Sequence, residues 1–303
     1  MTSITLSDLF TIIFVLVDDW YQQYGIKLLK GKPGAKPNFT DSEIITLMLT
    51  QDYIPFSSET QYIGFIRANY LELFPKLLDQ SQFNRRSRSL RLLVEELRRY
   101  WITQKGFHLN SSYLLDTKPI PVLGYKRNKK HSDFLGSANY GYCASRNMHY
   151  FGYKLVTIAT LDGIPIAYEL VPANLDERLA AEAVIDYVHG CDIFTDKGFI
   201  GSEWQSKIFD QTNNRIWTPK RKNQYRQNTP SLDQWLNSIR ERIEGVFNEI
   251  QNVGRNIERL FAKTVIGIST RIISKLTSHI LRYLLRNHFG VNIQNFSISD
   301  NFV

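Results

Sequence analysis

Three carboxylates in this chain are spaced so that folding could bring them to one point. Asp116 follows an apolar run at 113–115, and Asp196 follows a second one at 191–195. A third is available on the helical stretch 232–252, from Glu241, Glu244 or Glu249. Converging carboxylates repel one another unless cations lie between them, and their hard oxygen atoms suit Mg²⁺ or Mn²⁺. A pair of such ions activates a water or a DNA 3′-hydroxyl for attack on a phosphodiester.

The elements that would position these carboxylates follow the order β-β-β-α-β-α-β-α. Three strands, the second and third joined by the hairpin signal Asp162-Gly163, form an antiparallel meander. Asp176 caps the next helix, and the strand at 191–195 follows it. This order predicts an α/β fold, a ribonuclease-H-like mixed sheet flanked by helices. Its first and fourth strands are central neighbours, so Asp116 and Asp196 are expected to meet while the last helix brings a glutamate over them.

The region before the first strand is predicted to be helical. The capping box from Thr40 to Glu43 begins one helix, and arginines alternate with leucines in a basic amphipathic helix at 81–106. A solvated arginine face and direct contact with DNA explain that helix equally well. We therefore expect a helical N-terminal region at 1–108, a candidate for DNA-end binding. A catalytic domain with the C-terminal helices would span 109–303.

Charge and cysteine content restrict the class of protein further. The net charge of +8 favours a polyanionic partner, although an ordinary basic protein would carry it too. Cys143 and Cys191 form neither a disulfide framework nor a CxxC zinc site, which fits a reducing cytosol. The apolar run 11–17 is too short to span a bilayer and lacks a basic leader, so no membrane partner is expected.

Two basic segments are candidates for DNA contact. The first, at 118–131, contains five lysines and arginines and no acidic residue before Asp133, and among them are Lys129 and Lys130. The second, at 215–226, contains Lys220, Arg221 and Lys222. Lys197 directly follows Asp196, so it is either a phosphate ligand near the metals or an exposed loop lysine.

Two competing interpretations of the aspartates are disfavoured. Phosphotransferases with an aspartyl nucleophile need a second aspartate two places on, where this chain has Lys118. Asp192 lies near Asp196 but within the strand, whereas Asp196 lies at its end, where such sites are built.

Four segments together resemble the insertion-sequence transposases of the IS4-like DDE superfamily, most closely the IS982 family. They are Leu114-Leu115-Asp116-Thr117-Lys118-Pro119, Gly152-Tyr153-Lys154-Leu155, Thr195-Asp196-Lys197-Gly198-Phe199 and Arg240-Glu241-Arg242-Ile243-Glu244-Gly245-Val246-Phe247. The superfamily's signature around its glutamate is Tyr, two residues, Arg, three residues, Glu, six residues, Lys. Arg240 and Glu244 fit it, while Asn237 and Gln251 replace the tyrosine and the lysine.

The resemblance implies a DNA transposase that binds terminal inverted repeats and performs metal-dependent strand cleavage and strand transfer. It selects Glu244 as the partner of Asp116 and Asp196 in holding two Mg²⁺ or Mn²⁺ ions, and it adds Arg240 to the DNA contacts. The implied partners are transposon ends, target DNA and a second copy of the chain, a homodimer on nucleoid DNA in the cytoplasm. The alternatives are an inactive transposase-derived DNA-binding protein and a metal-dependent nuclease of the same fold.

Overall fold

The computed structural model describes residues 4–29, 37–56, 58–220, 228–291 and 293, apart from the side chains of Ser145 and Arg240. These residues form two compact units. One takes its residues from Met1–Trp101, Val253–Asn256 and Leu260–Val303, and the other comprises Ile102–Asn252 and Ile257–Arg259. The C-terminal helix therefore belongs to the same unit as the N-terminal helices. The expected boundary at 108/109 had assigned it to the catalytic domain.

The first unit is helical. Its elements are α1 (Leu6–Trp20), which continues through a π-helical turn (Tyr21–Gly25) into α2 (Ile26–Leu28), then α3 (Asp41–Thr50), α4 (Glu59–Asn69), α5 (Gln80–Gln104, up to Trp101) and α9 (Val265–Phe289). The capping box of Thr40 and Glu43 begins α3 as predicted. Leu9, Ile13 and Val17 of α1 recur every four residues and are fully buried, as expected for one apolar helix face.

The second unit contains a mixed sheet and three helices. The strands are β1 (Ser112–Leu123), β2 (Asn139–Cys143), β3 (Met148–Thr160), β4 (Pro165–Pro172), β5 (Asp192–Phe194) and β6 (Arg215–Trp217); the helices are α6 (Glu177–Ile185), α7 (Ser202–Thr212) and α8 (Pro230–Asn252). The sheet order is β2-β3-β1-β5-β6, and β4 pairs with β3. β1, β5 and β6 run parallel, while β3 is antiparallel to β1, β2 and β4. The predicted ribonuclease-H-like α/β fold is confirmed.

The hairpin between β3 and β4 follows its local signal. Gly163 has φ +89° and its amide bonds to the Thr160 carbonyl at 2.9 Å. Only glycine adopts this region without a steric cost, so the Asp-Gly pair ends β3 and reverses the chain.

The first strand is longer than predicted. Residues 118–123, expected to begin a basic loop, continue β1 and pair with β3 through Lys154 and Gly152, opposite Pro119 and Pro121. Prolines lack the amide that a central strand must donate, which makes them signals against a strand. Here β5 pairs only with Ser112 to Leu114, so β1 beyond that point has a single partner strand and tolerates them.

Within the described ranges, no helix has both the length and the apolar character needed to cross a membrane.

Candidate active site

The register between β1 and β5 sets Asp116 beside Asp196. Ser112 pairs with Asp192 and Leu114 with Phe194, where the pairing ends, so Asp116 and Asp196 each lie two residues beyond the last pair, and the charge of Asp196 acts on Asp116. Parallel strands lie about 4.8 Å apart, so carboxylates at one level on neighbouring strands interact strongly. Both directly follow buried residues, Leu114 and Leu115 before Asp116 and Ile193 to Thr195 before Asp196.

Asp116 is a largely buried carboxylate with a raised pKa. Its side chain is 15% exposed, and its Oδ2 lies 3.1 Å from the Lys118 Nζ. The Thr117 amide donates to its Oδ1 at 2.8 Å. Burial raises the pKa of Asp116 to about 6, with Lys118 opposing and the charge of Asp196 adding to the rise. Burial thus disfavours the charged form of Asp116, although the carboxylate has an ammonium partner.

Asp196 begins a short 3-10 turn (Lys197–Phe199). Its Oδ1 accepts the Gly198 amide at 2.8 Å, which fixes the side chain where β5 ends. Lys197, predicted to contact DNA, is exposed on this turn.

Glu177 is a further carboxylate at this site that sequence reasoning missed. Its Oε1 accepts from the Thr117 Oγ1 at 3.2 Å, and its Oε2 occupies the space that a side chain at residue 198 would need. Burial raises the pKa of Glu177, and the nearby charge of Asp196 adds to this effect against that of Lys154. The available signal was its place as the first residue of α6, just after the meander.

Glu244 lies on α8, one turn before the buried Phe247. The Lys118 Nζ is 5.8 Å from the centroid of the Phe247 ring, so this part of α8 packs beside the Asp116–Lys118 pair. Glu241, Glu244 and Glu249 are all exposed, so burial does not separate them. At about 100° per residue, however, Glu244 is about 60° from Phe247 around the helix, against about 120° for Glu241 and 160° for Glu249. Of the three, Glu244 is therefore nearest to Phe247 around the helix.

The candidate DNA contacts have different environments. Lys130 is exposed and Lys220 is partly exposed. Lys129 is only 8% exposed: its Nζ donates to the carbonyls of Gly124 (3.3 Å) and Tyr125 and lies 5.0 Å from the ring centroid of Tyr140. Lys129 therefore holds its own loop together, contrary to its expected role. Arg221, Lys222 and the side chain of Arg240 lie outside the described residues.

Asp192, the competing aspartate near Asp196, has a structural role. Its Oδ1 accepts from the indole of Trp217 at 2.8 Å, and Trp217 packs edge-on against Trp235 of α8. This contact ties β5 to β6 and to the helix that carries Glu244. Asp196 therefore stays the predicted second aspartate of the site.

No group of three or more His, Cys, Asp or Glu side chains is placed to hold a metal ion within the described part of the chain. Asp116 and Asp196, two residues beyond the paired part of β1 and β5, remain the predicted first two members of the triad.

The sheet order and the opposed aspartates define a ribonuclease-H-like α/β domain. The family model for a transposase DDE domain matches residues 108–260, half of the chain, and the chain belongs to that family. No curated protein sequence matches it. Two solved structures of Mos1 transposase are similar over most of their length. The paired-end complex with the left transposon end has 12% identity, covers 76% of this chain and 82% of that one, and gives a TM-score of 0.23. The strand transfer complex has 13% identity, covers 88% and 84%, and gives 0.21.

Proposed function

We propose that this member of the DDE transposase family acts on the terminal inverted repeats of an insertion sequence, of the IS982 type, cleaving DNA strands and joining them to a target. The observation that carries the proposal is that Asp116 and Asp196 each lie two residues beyond the paired part of the parallel strands β1 and β5, where the charge of Asp196 contributes to the raised pKa of Asp116. Two such carboxylates within a DDE domain are the groups that phosphodiester chemistry with divalent ions requires.

The residues present fit a pair of divalent cations. Asp116 and Asp196 offer hard oxygen ligands, and a bound cation would offset the burial and the charge of Asp196 that together raise the pKa of Asp116. We assign the third ligand to Glu244 and the ions to Mg²⁺ or Mn²⁺. When bound, the two ions supply an activated nucleophile and stabilise the leaving oxygen.

The protein's own groups would prepare this site. Lys118 neutralises part of the charge on Asp116 in the absence of an ion. The Gly198 amide holds the Asp196 side chain, and the packing of Phe247 beside Lys118 fixes the turn of α8 that bears Glu244. Lys197 and Lys220, exposed or partly exposed, are proposed to contact phosphates together with Lys130, Arg221, Lys222 and Arg240.

The partners follow from the chemistry. Joining two transposon ends to one target needs both ends held together, so we propose a homodimer assembled on DNA. The positive charge of the whole chain suits this polyanionic partner.

The test is a cleavage and strand-transfer assay on DNA that carries the element's ends, with Mg²⁺ or Mn²⁺. Asp116→Asn, Asp196→Asn and Glu244→Gln should each abolish both products, because each keeps its size and loses the charge that holds the ions. Double variants should be hardly worse than single ones, as for groups that act as a unit. Glu241→Gln and Glu249→Gln are matched controls on the same helix and should stay within a few-fold of the parent protein.

The outcomes separate the proposal from its alternatives. Cleavage without joining or end preference identifies a nuclease, and DNA binding without cleavage under any divalent ion identifies an inactive descendant. Loss of activity in Glu241→Gln or Glu249→Gln, with Glu244→Gln intact, overturns the third ligand alone. Robust cleavage in chelator contradicts the whole mechanism.

A further inference from the structure

A cavity of about 200 Å³ lies within the helical unit, between the first turns of α5 and the start of α9. Ser87 and Arg88 of α5 and Arg271 of α9 line it, together with Arg255, Lys263 and Glu59. It is separate from the carboxylates of the candidate active site, which all belong to the other unit.

Three donors at this cavity have no acceptor. The Ser87 Oγ, the Arg88 Nε and the Arg271 Nη1 are buried without a hydrogen-bond partner. Among the described residues, the only other buried side-chain nitrogen or oxygen without a hydrogen-bond partner is the Glu258 Oε1, which lies in the other unit. Ser87 is only 6% exposed. Buried polar groups are normally paired, so three orphaned donors around one space indicate a ligand that accepts hydrogen bonds.

The charge around the cavity is also unbalanced. Four cations line it against one carboxylate, Glu59, whose oxygens accept from the Asn84 amide (2.9 and 3.0 Å), the Gln80 amide (3.2 Å) and the Arg271 Nη2 (3.5 Å). Arg255 is paired with Asp52 at 2.9 Å. Arg88 and Lys263 have no carboxylate partner among the ion pairs of the described residues. Burial lowers the pKa of Arg271, and the charges of Arg255 and Arg88 add to the effect against that of Glu59.

The start of α9 contributes a further positive field. Thr264 caps this 25-residue helix by accepting from the Gly267 amide at 3.1 Å, and Gly267 lines the cavity. A side chain at residue 267 would come within 3.8 Å of the Arg88 Nη2, so the guanidinium lies over the first turn. Helix N-termini carry partial positive charge and bind anions.

We propose that this cavity binds a phosphate group. Guanidinium forks donate paired hydrogen bonds to phosphate oxygens, and a tetrahedral anion offers acceptors in several directions at once. The volume is below the roughly 300–1,000 Å³ of sites that enclose drug-sized ligands, which suits a single phosphate. The phosphate belongs either to a DNA backbone or to a free phosphate ion from solution. The first source rests on the function proposed above.

The experiment uses the full-length chain in the Asp116→Asn background, so that its outcome does not depend on catalysis. Thermal unfolding is measured with inorganic phosphate and with chloride at equal ionic strength, and the affinity of a short duplex DNA is measured over a range of salt. The variants are Arg88→Gln, Arg271→Gln and their double variant. Ser87→Ala removes a donor with little risk to folding, and Arg286→Gln, exposed near the end of α9, is the matched control.

We expect phosphate to raise the melting temperature saturably, chloride to have no such effect, and the arginine variants to lose the rise while Arg286→Gln keeps it. If the phosphate belongs to DNA, the variants also lower the slope of log affinity against log salt by about one. If DNA affinity stays unchanged while the phosphate response is lost, the ligand is a free phosphate. No saturable response in the parent protein, or an equal one in the double variant, overturns the proposal. If the double variant does not fold, the rise in melting temperature with phosphate in Ser87→Ala and in the two single variants tests the proposal.

Discussion

At the scale of single residues, the raised pKa of Asp116 couples the candidate active site to stability. Its carboxyl titrates near 6 in the folded protein and at 3.8 ordinarily. Between these values the folded protein binds a proton that the unfolded chain does not. Stability contributed by this group is therefore present at low pH and lost as the pH rises through about 6.

We accordingly expect Asp116→Asn to stabilise the metal-free protein at pH 7, with a smaller gain at pH 4. The amide keeps the size and the acceptor for the Thr117 amide, while it removes a charge that the site disfavours. Melting curves of both proteins at the two pH values, recorded in chelator, give the comparison. A variant that melts below the parent protein at pH 7 would contradict the electrostatic account.

Glu177 gives a second prediction at this scale. Because its carboxylate lies beside Asp196, it adds to the negative charge that a divalent ion would neutralise. We expect Glu177→Gln to raise several-fold the Mg²⁺ concentration needed for half-maximal cleavage, with DNA affinity unchanged. Thr117→Val is the control, since it removes the hydrogen bond to Glu177 and leaves every charge in place. An unchanged Mg²⁺ dependence in Glu177→Gln would limit this residue to a structural role.

At the scale of elements, local signals were sufficient where a few neighbouring residues decide the structure. The capping box of Thr40 and the Asp162-Gly163 hairpin needed no distant partner to be recognised. The second half of β1 and the strand β2 were missed, because they depend on pairing with β3 rather than on their own composition. Asp116 and Asp196 were predicted because each follows an apolar run, whereas the place of Glu177 beside Asp196 depends on how α6 packs.

The loop after β1 shows how two neighbouring lysines differ. Lys129 is buried over aromatic rings with its ammonium bonded to carbonyls, while Lys130 is exposed. We expect Lys129→Ala to destabilise the protein by about 1–3 kcal/mol, because buried acceptors lose their donor. Lys130→Ala should change stability by less than about 0.5 kcal/mol, as exposed substitutions do. Denaturant unfolding of the two variants measures both. Equal effects would mean that Lys129 is not the residue that holds this loop.

At the scale of the whole molecule, the net charge and the family membership both favour the proposed DNA partner. The chain carries a net charge of +8 and belongs to the transposase DDE domain family. Lysines and arginines that neutralise phosphates release condensed counterions, so the affinity for DNA should fall steeply with salt. A polyanion of another kind would be bound with similar salt dependence but without dependence on the element's ends. Competition between end-bearing and unrelated duplexes therefore separates sequence recognition from general attraction.

The contribution of the second basic segment is testable in the same measurement. We expect the combined change of Lys220, Arg221 and Lys222 to alanine to reduce the slope of log affinity against log salt by up to about three, one for each phosphate that is no longer neutralised. Lys105→Ala, a single exposed lysine outside both basic segments, is the control and should leave the slope unchanged. Melting temperatures must also be compared, because a triple variant that unfolds would lose affinity for an unrelated reason. A folded triple variant with the parent's slope would show that this segment does not bind DNA, and the phosphates would then have to be neutralised by other cations of the chain.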